Sequence, residues 1–226
     1  MKKKLILCLF LLVVLLAVSC EKKVYFNEYI SECKYNVLTG QEGDFSINVN
    51  LTKKENPYTV NGICGEVRNI IEIFLYTPDN TLVYNIFFEE SGKTLGGEMN
   101  YNSAKSRQEL SFEYYNNEVQ SIEFALQYND TSLIITALSV IETTILTPEN
   151  ALNSLYLSNK EVFTNMTATG TFVGEIHIRL VFESDKCYYY IGVVNKTGKI
   201  FAYLLNAEDG TIIAQKEINY RTQLSN

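Results

Sequence analysis

The clearest periodic stretch is residues 45–51, where Phe45, Ile47, Val49 and Leu51 alternate with Ser46, Asn48 and Asn50. Successive side chains of an extended chain point to opposite faces, so this pattern predicts a strand buried on one side. Residues 67–76 (VRNIIEIFLY) read as a second strand, TPDN (77–80) as a turn with Pro78 pre-set for its second position, and 81–88 (TLVYNIFF) as the returning strand. Further alternating runs cover 109–114, 118–126 and 132–138, separated by YNNE and YNDT. Residues 20–43 are mostly polar and end in LTGQEGD, and they read as a tether or the lead-in to a domain.

Short strands about ten residues apart, joined by turn signals, predict an antiparallel β-sandwich over 44–143. An immunoglobulin-like topology fits the pattern, although no Cys-Trp-Cys signature accompanies it. At TPENALNSLYLS the period changes from two to that of a helix. Thr147 can cap, Pro148 suits the first turn, Glu149 complements the helix dipole, and Ala151, Leu152, Leu155 and Tyr156 share one face. Strands resume at 162–170 (VFTNMTATG), at GEIHIRLVF, at CYYYIGVVN and at IFAYLLN, with turns at ESDK, NKTGK and AEDG. The fold class expected is therefore mostly β: a sandwich followed, over 147–220, by an α+β domain of one helix on an antiparallel meander.

The chain has 19 basic and 26 acidic residues, no Trp, three Pro, 16 Tyr and 12 Phe. The abundance of Tyr, Phe, Ile and Thr favours strands. The acidic balance argues against nucleic acid as a partner, because that surface is bound by clustered Lys and Arg.

Chemistry is sparse. His177 is the only histidine, out of phase with Ile176 and Ile178, so it should lie on the opposite face of its strand. If ESDK closes a hairpin, residue 182 sits beside 187. His177 then lies more than about 15 Å back along its strand from Cys187, too far for a nucleophile–base pair. No G-x-S-x-G stretch is present. SGKTLGG (91–97) lacks the first glycine of a phosphate loop and reads as a hairpin turn. In CYYY (187–190), Tyr188 and Tyr190 share one face and Tyr189 takes the other: core packing or an aromatic platform. Glu89-Glu90 and Glu208-Asp209 read as solvated loop charges. Cys33 and Cys64 are candidates for a disulfide, with Cys187 left over, and no metal-ligand spacing or cofactor motif occurs.

The first nineteen residues carry Lys2, Lys3 and Lys4, then an apolar run over 5–18, then Ser19 before Cys20. This is the order of a secretory signal, and the run is short for a membrane-spanning helix. Ala17, Val18 and Ser19 directly before Cys20 resemble the lipobox of bacterial lipoproteins, with Leu16 one place earlier than the family's usual leucine. The resemblance implies cleavage before Cys20, acylation of its sulfur and anchoring of the mature chain to a membrane outside the cytoplasm. An uncleaved anchor and a plain signal peptide are the alternatives. Removal of the three lysines leaves 16 basic residues against 26 acidic ones, a net charge of about −10.

The segment 147–218 resembles the PepSY-like domains of secreted and membrane-anchored bacterial proteins, on the helix opened by TPENAL, the strand YYYIGVV and the end YLLNAEDGTIIA. That family's end typically reads Val-Asp-Ala-x-Thr-Gly-Glu-Ile. Leu205, Asn206, Ala207 and Gly210 hold corresponding places, with Asn206 for the Asp and Asp209 for the Thr. The resemblance implies a non-catalytic role, in binding or inhibition. The expected function is thus a non-enzymatic lipid-anchored protein that binds a peptide, protein or cell-wall partner. The alternatives are an inhibitor or regulator of a secreted peptidase and a hydrolase with a carboxylate pair.

Overall fold

The computed structural model describes residues 24–58, 62–116 and 118–219. Cys20 and the signal-like segment lie outside the described residues. The alternation at 45–51 forms part of β2 (Phe45–Glu55), which pairs antiparallel with β1 (Ile30–Glu42) on one side and β3 (Val67–Tyr76) on the other. Then follow β4 (Tyr84–Glu90), β5 (Lys93–Glu98), β6 (Asn100–Asn102), β7 (Arg107–Glu113), β8 (Ser121–Tyr128) and β9 (Thr131–Ser139). The turn between β4 and β5 is SGKTLGG's opening, with Ser91 and Gly92 both at positive φ.

Two sheets result, β1-β2-β3-β7-β6 and β9-β8-β4-β5, and they join at both corners. At one corner β1 pairs with β9 through Leu38↔Ser139 and Thr39↔Leu138. At the other, the chain leaves β4 and takes up β7 at Met99, which is buried and donates its N–H to the Tyr84 carbonyl at 2.8 Å. Ile47, Val49, Leu51, Ile71, Ile73, Leu75, Phe124 and Ile135 fill the space between the sheets. The sequential pairing β1-β2-β3 differs from an immunoglobulin domain, where the second and third strands lie in different sheets.

The C-terminal unit starts with α1 (Pro148–Ser158), where the Thr147 hydroxyl accepts the Asn150 N–H at 3.2 Å, as the capping pattern predicts. Its Ala151, Leu152 and Leu155 are buried. Residues 162–170 are not one strand. Lys160–Asn165 forms a second short helix, α2, which buries Phe163. A small hairpin of β10 (Thr167–Ala168) and β11 (Thr171–Phe172) follows. The apolar pair Val162-Phe163 serves a helix face here rather than a strand face. The meander is β12 (Gly174–Glu183), β13 (Lys186–Asn195), β14 (Lys199–Asn206) and β15 (Ile212–Asn219), in consecutive antiparallel order.

The largest departure from the sequence reading is residues 20–43. From Ile30 onward this segment is not a tether but β1, the strand shared by both units. Its first half pairs parallel with β12 (Ile30↔Ile176, Cys33↔Ile178). Phe26, Tyr29, Cys33 and Val37 pack into the C-terminal core with Phe163, Phe172 and Tyr189, while Leu38 enters the sandwich core. The C-terminal unit is therefore not confined to 147–220. A β-bulge at Tyr35, between Lys34 and Asn36, interrupts the register with β2. Two cores and a bulge erase the clean alternation that would mark a strand.

Candidate functional site

Two places bring polar chemistry together. The first lies at the start of β12, whose Glu175 and His177 alternate against the buried Ile176 and Ile178. Glu175 is 5% exposed. Tyr58, in the β2–β3 connection, donates its hydroxyl to Glu175 Oε1, and His177 Nε2 lies 3.6 Å from the same oxygen. Glu175 Oε2 is buried and has no hydrogen-bond partner among the described residues. The same connection is tied down by Gly62 N–H to the Gly174 carbonyl (3.4 Å) and Cys64 N–H to the Glu28 carbonyl (2.8 Å). Farther along β12, Arg179 Nε donates to Glu32 Oε1 at 2.5 Å. Burial raises the Glu32 carboxyl, and the Arg179 guanidinium more than reverses this, leaving it below the usual carboxylate range. This locus is a clasp between the two units, held by its own internal partners.

The second place is a cleft of about 630 Å³ on the outer face of the sheet β9-β8-β4-β5. Its origin is a ladder that stops short. β4 and β8 pair from Tyr84↔Tyr128 to Phe87↔Ala125, yet β4 continues to Glu90 and β8 begins at Ser121. Beyond Phe87 the facing main-chain groups of the two strands carry no partner in that ladder. Inside, Phe88 and Phe124 still meet, with ring centroids 5.2 Å apart, so the cleft has a packed floor. The outer face reads in rows across the strands. Gly96, Phe87, Ala125 and Ile134 are consecutive cross-strand partners and form an apolar row. Two residues along come Glu89, paired with Thr94, and Glu123, paired with Thr136. Glu90 completes the acidic end. Gly96 keeps its row flat, because a Cβ there would meet the Ile86 carbonyl oxygen at 2.0 Å. Ile134 is 49% exposed.

The carboxylates at this end are positioned. Glu89 accepts the Thr94 hydroxyl. Glu90 accepts Tyr114 Oη–H at 3.0 Å on one oxygen and Asn116 Nδ2–H at 3.1 Å on the other. The Tyr114 hydroxyl is raised by burial and by that carboxylate. The residues lining the cleft supply apolar surface, hydroxyls, an amide and carboxylates, a set suited to holding a ligand.

The residues singled out in the sequence fall elsewhere. Cys33, Cys64 and Cys187 are free thiols, so the Cys33–Cys64 bridge is not formed. Burial, with the Glu149 carboxylate adding to it, pushes the Cys33 thiol up to about 12. The hairpin register is the expected one: Phe182 pairs with Cys187 and His177 with Gly192, which separates the histidine from that thiol. Tyr189 is core, with its hydroxyl donated to the Leu146 carbonyl at 2.7 Å, while Tyr188 and Tyr190 are half-buried on the other face. Among the described residues no cluster of three or more His, Cys, Asp or Glu could hold a metal ion, and no helix is long and apolar enough to cross a membrane. Sequence reasoning missed the cleft. Its one visible signal was the pair Gly96-Gly97 inside a strand, which marks close backbone approach. Compared with protein-family models, curated proteins and solved structures, the chain matches none.

Proposed function

We propose that this chain is a non-enzymatic, lipid-anchored extracytoplasmic protein. The cleft between β4 and β8 holds an extended segment of a peptide or protein partner. The anchor rests on the lipobox-like residues before Cys20, and the PepSY-like sequence of 147–218 is in keeping with a binding role. The single observation that carries the binding reading is the interrupted β4–β8 ladder over a packed apolar floor. An extended main chain is the ligand that can use strand groups beyond the end of the ladder and alternating side-chain rows together. The three glutamates of the cleft also bear on the hydrolase alternative. Glu89 accepts the Thr94 hydroxyl and Glu90 accepts from Tyr114 and Asn116, so the protein's own donors hold two of the three in place, which supports their reading as fixed charges for binding.

The test has two parts. Intact mass and detergent-phase partitioning of the wild type beside Cys20→Ala should show an acylated, detergent-soluble protein and a variant that is neither. A photo-crosslinking residue at position 127, where exposed Gln127 lines the cleft, on intact cells should give a discrete adduct that the same residue at Tyr101, exposed on the other sheet, does not give. An unacylated wild type overturns the anchor. Identical products from positions 127 and 101 overturn the cleft as the binding site.

A further inference from the structure

We infer that the segment bound in this cleft is cationic, with a Lys or Arg two residues from an aliphatic side chain. This rests on the reading of the cleft as a binding site and adds what is bound. The argument begins with charge. Glu89, Glu90 and Glu123 line one end, and among the described residues no Lys, Arg or His lines the cleft. In the mature chain, net about −10, a cleft lined by one sign of charge draws the opposite sign and repels its own.

Spacing then fixes the pattern. The apolar row crosses β4 at Phe87 and β8 at Ala125, and the acidic row crosses them at Glu89 and Glu123. On each strand the two rows are two residues apart, roughly 7 Å at about 3.3 Å per residue. A guest strand lying along the gap presents its own residues i and i+2 on one face at the same separation. An aliphatic side chain at i therefore lies over Phe87, Ala125 and Ile134 when a basic one at i+2 reaches Glu89 and Glu123. Glu123 is exposed, and Glu90, fixed by Tyr114 and Asn116, gives the far end of the gap a stationary charge. An acidic guest in the same register would set like charges together in a partly enclosed space, so the cleft rejects as well as selects.

The test is a selection of displayed random linear peptides on the full-length wild-type protein, run in parallel on Glu123→Lys and on Ala125→Arg. Both substitutions are on the outer face and leave the core side chains untouched. The expected result is enrichment, on the wild type, of peptides with Lys or Arg two places from Val, Ile or Leu. Individual peptides should bind about tenfold or more weakly to Glu123→Lys, and not measurably to Ala125→Arg. Peptides lost on Ala125→Arg but without basic residues, or bound equally by Glu123→Lys, would overturn the cationic pattern and leave the cleft as the site. The same peptides on wild type and Ala125→Arg, or no enrichment on the wild type, would overturn the cleft itself.

Discussion

Ser139 donates its hydroxyl to the side-chain oxygen of Asn36 at 2.8 Å, and Asn36 passes the connection on by donating to the Val119 carbonyl at 2.9 Å. Asn36 is 3% exposed and sits one residue past the bulge of β1, where the strand crosses between the two cores. The amide thus joins β1, the end of β9 and the approach to β8. Replacing it with Leu removes both bonds and leaves the buried Val119 carbonyl without that donor, at about 1–3 kcal/mol, while the part-buried Ser139 hydroxyl still accepts the Ile141 N–H at 3.1 Å. Urea denaturation of Asn36→Leu should show a loss of that order. Tyrosine fluorescence and far-UV circular dichroism should lose signal together, because both units share β1. Two separated transitions would show that the units unfold independently.

Gly40 marks the corner where β1 meets β9. A Cβ there would lie 2.3 Å from the Thr136 carbonyl oxygen, which is backbone and cannot step aside. Gly40→Ala should therefore cost more than an ordinary surface change, at least about 2 kcal/mol. Thermal denaturation checks this, and a melting temperature equal to wild type would mean the corner is looser than described.

The C-terminal meander should not fold alone. A fragment covering 140–219 lacks Phe26, Tyr29, Cys33 and Val37, which pack against Phe163, Phe172 and Tyr189. It would also expose the edge of β12 that pairs with β1. The expected fragment has secondary structure but poorly dispersed amide NMR signals, and a fragment covering 24–219 has a well-dispersed spectrum. A cooperative transition in 140–219 would contradict the shared-core account.

Glu32 gives a pH dependence with a defined sign. Its carboxyl lies below its ordinary value in the folded chain, net of a burial effect in the other direction, because Arg179 faces it. A depressed folded value means that the stabilisation is present above the unfolded value, near 4.5, and is lost as pH falls through the folded one. Arg179→Gln should weaken the protein by on the order of 1 kcal/mol near neutrality, since the pair is partly solvent-exposed. The difference should shrink below pH about 4. Denaturant midpoints measured across that range decide it, and a difference constant with pH would remove Glu32 from the account.

The thiols should react in an order set by burial. Cys33 is 8% exposed and its thiol is pushed up to about 12, while Cys64 and Cys187 are partly exposed. A thiol reagent on the native protein should modify Cys64 and Cys187 and spare Cys33 until denaturant is added. Mass spectrometry without reductant should find all three alkylated after denaturation. A mass two hydrogens lighter with two sites blocked would instead establish the Cys33–Cys64 bridge.

The sequence by itself determined the elements whose signals are local. Alternation at 45–51 and 67–76, the Thr147 cap before Pro148, and the ESDK turn that sets Phe182 against Cys187 all follow from period and turn chemistry within a few residues. It also placed His177 on the face opposite Ile176 and Ile178, and Tyr189 on the face opposite Tyr188 and Tyr190, because parity along a strand needs no knowledge of the partner. Tertiary structure alone decided the rest. β1 escaped notice because its halves serve different cores and a bulge at Tyr35 breaks its period; its parallel partner β12 lies more than a hundred residues away and leaves no mark in the local pattern. The cleft was hidden for a related reason. A ladder that stops at Phe87↔Ala125 is a property of two strands diverging, and each strand alone still reads as a regular alternation.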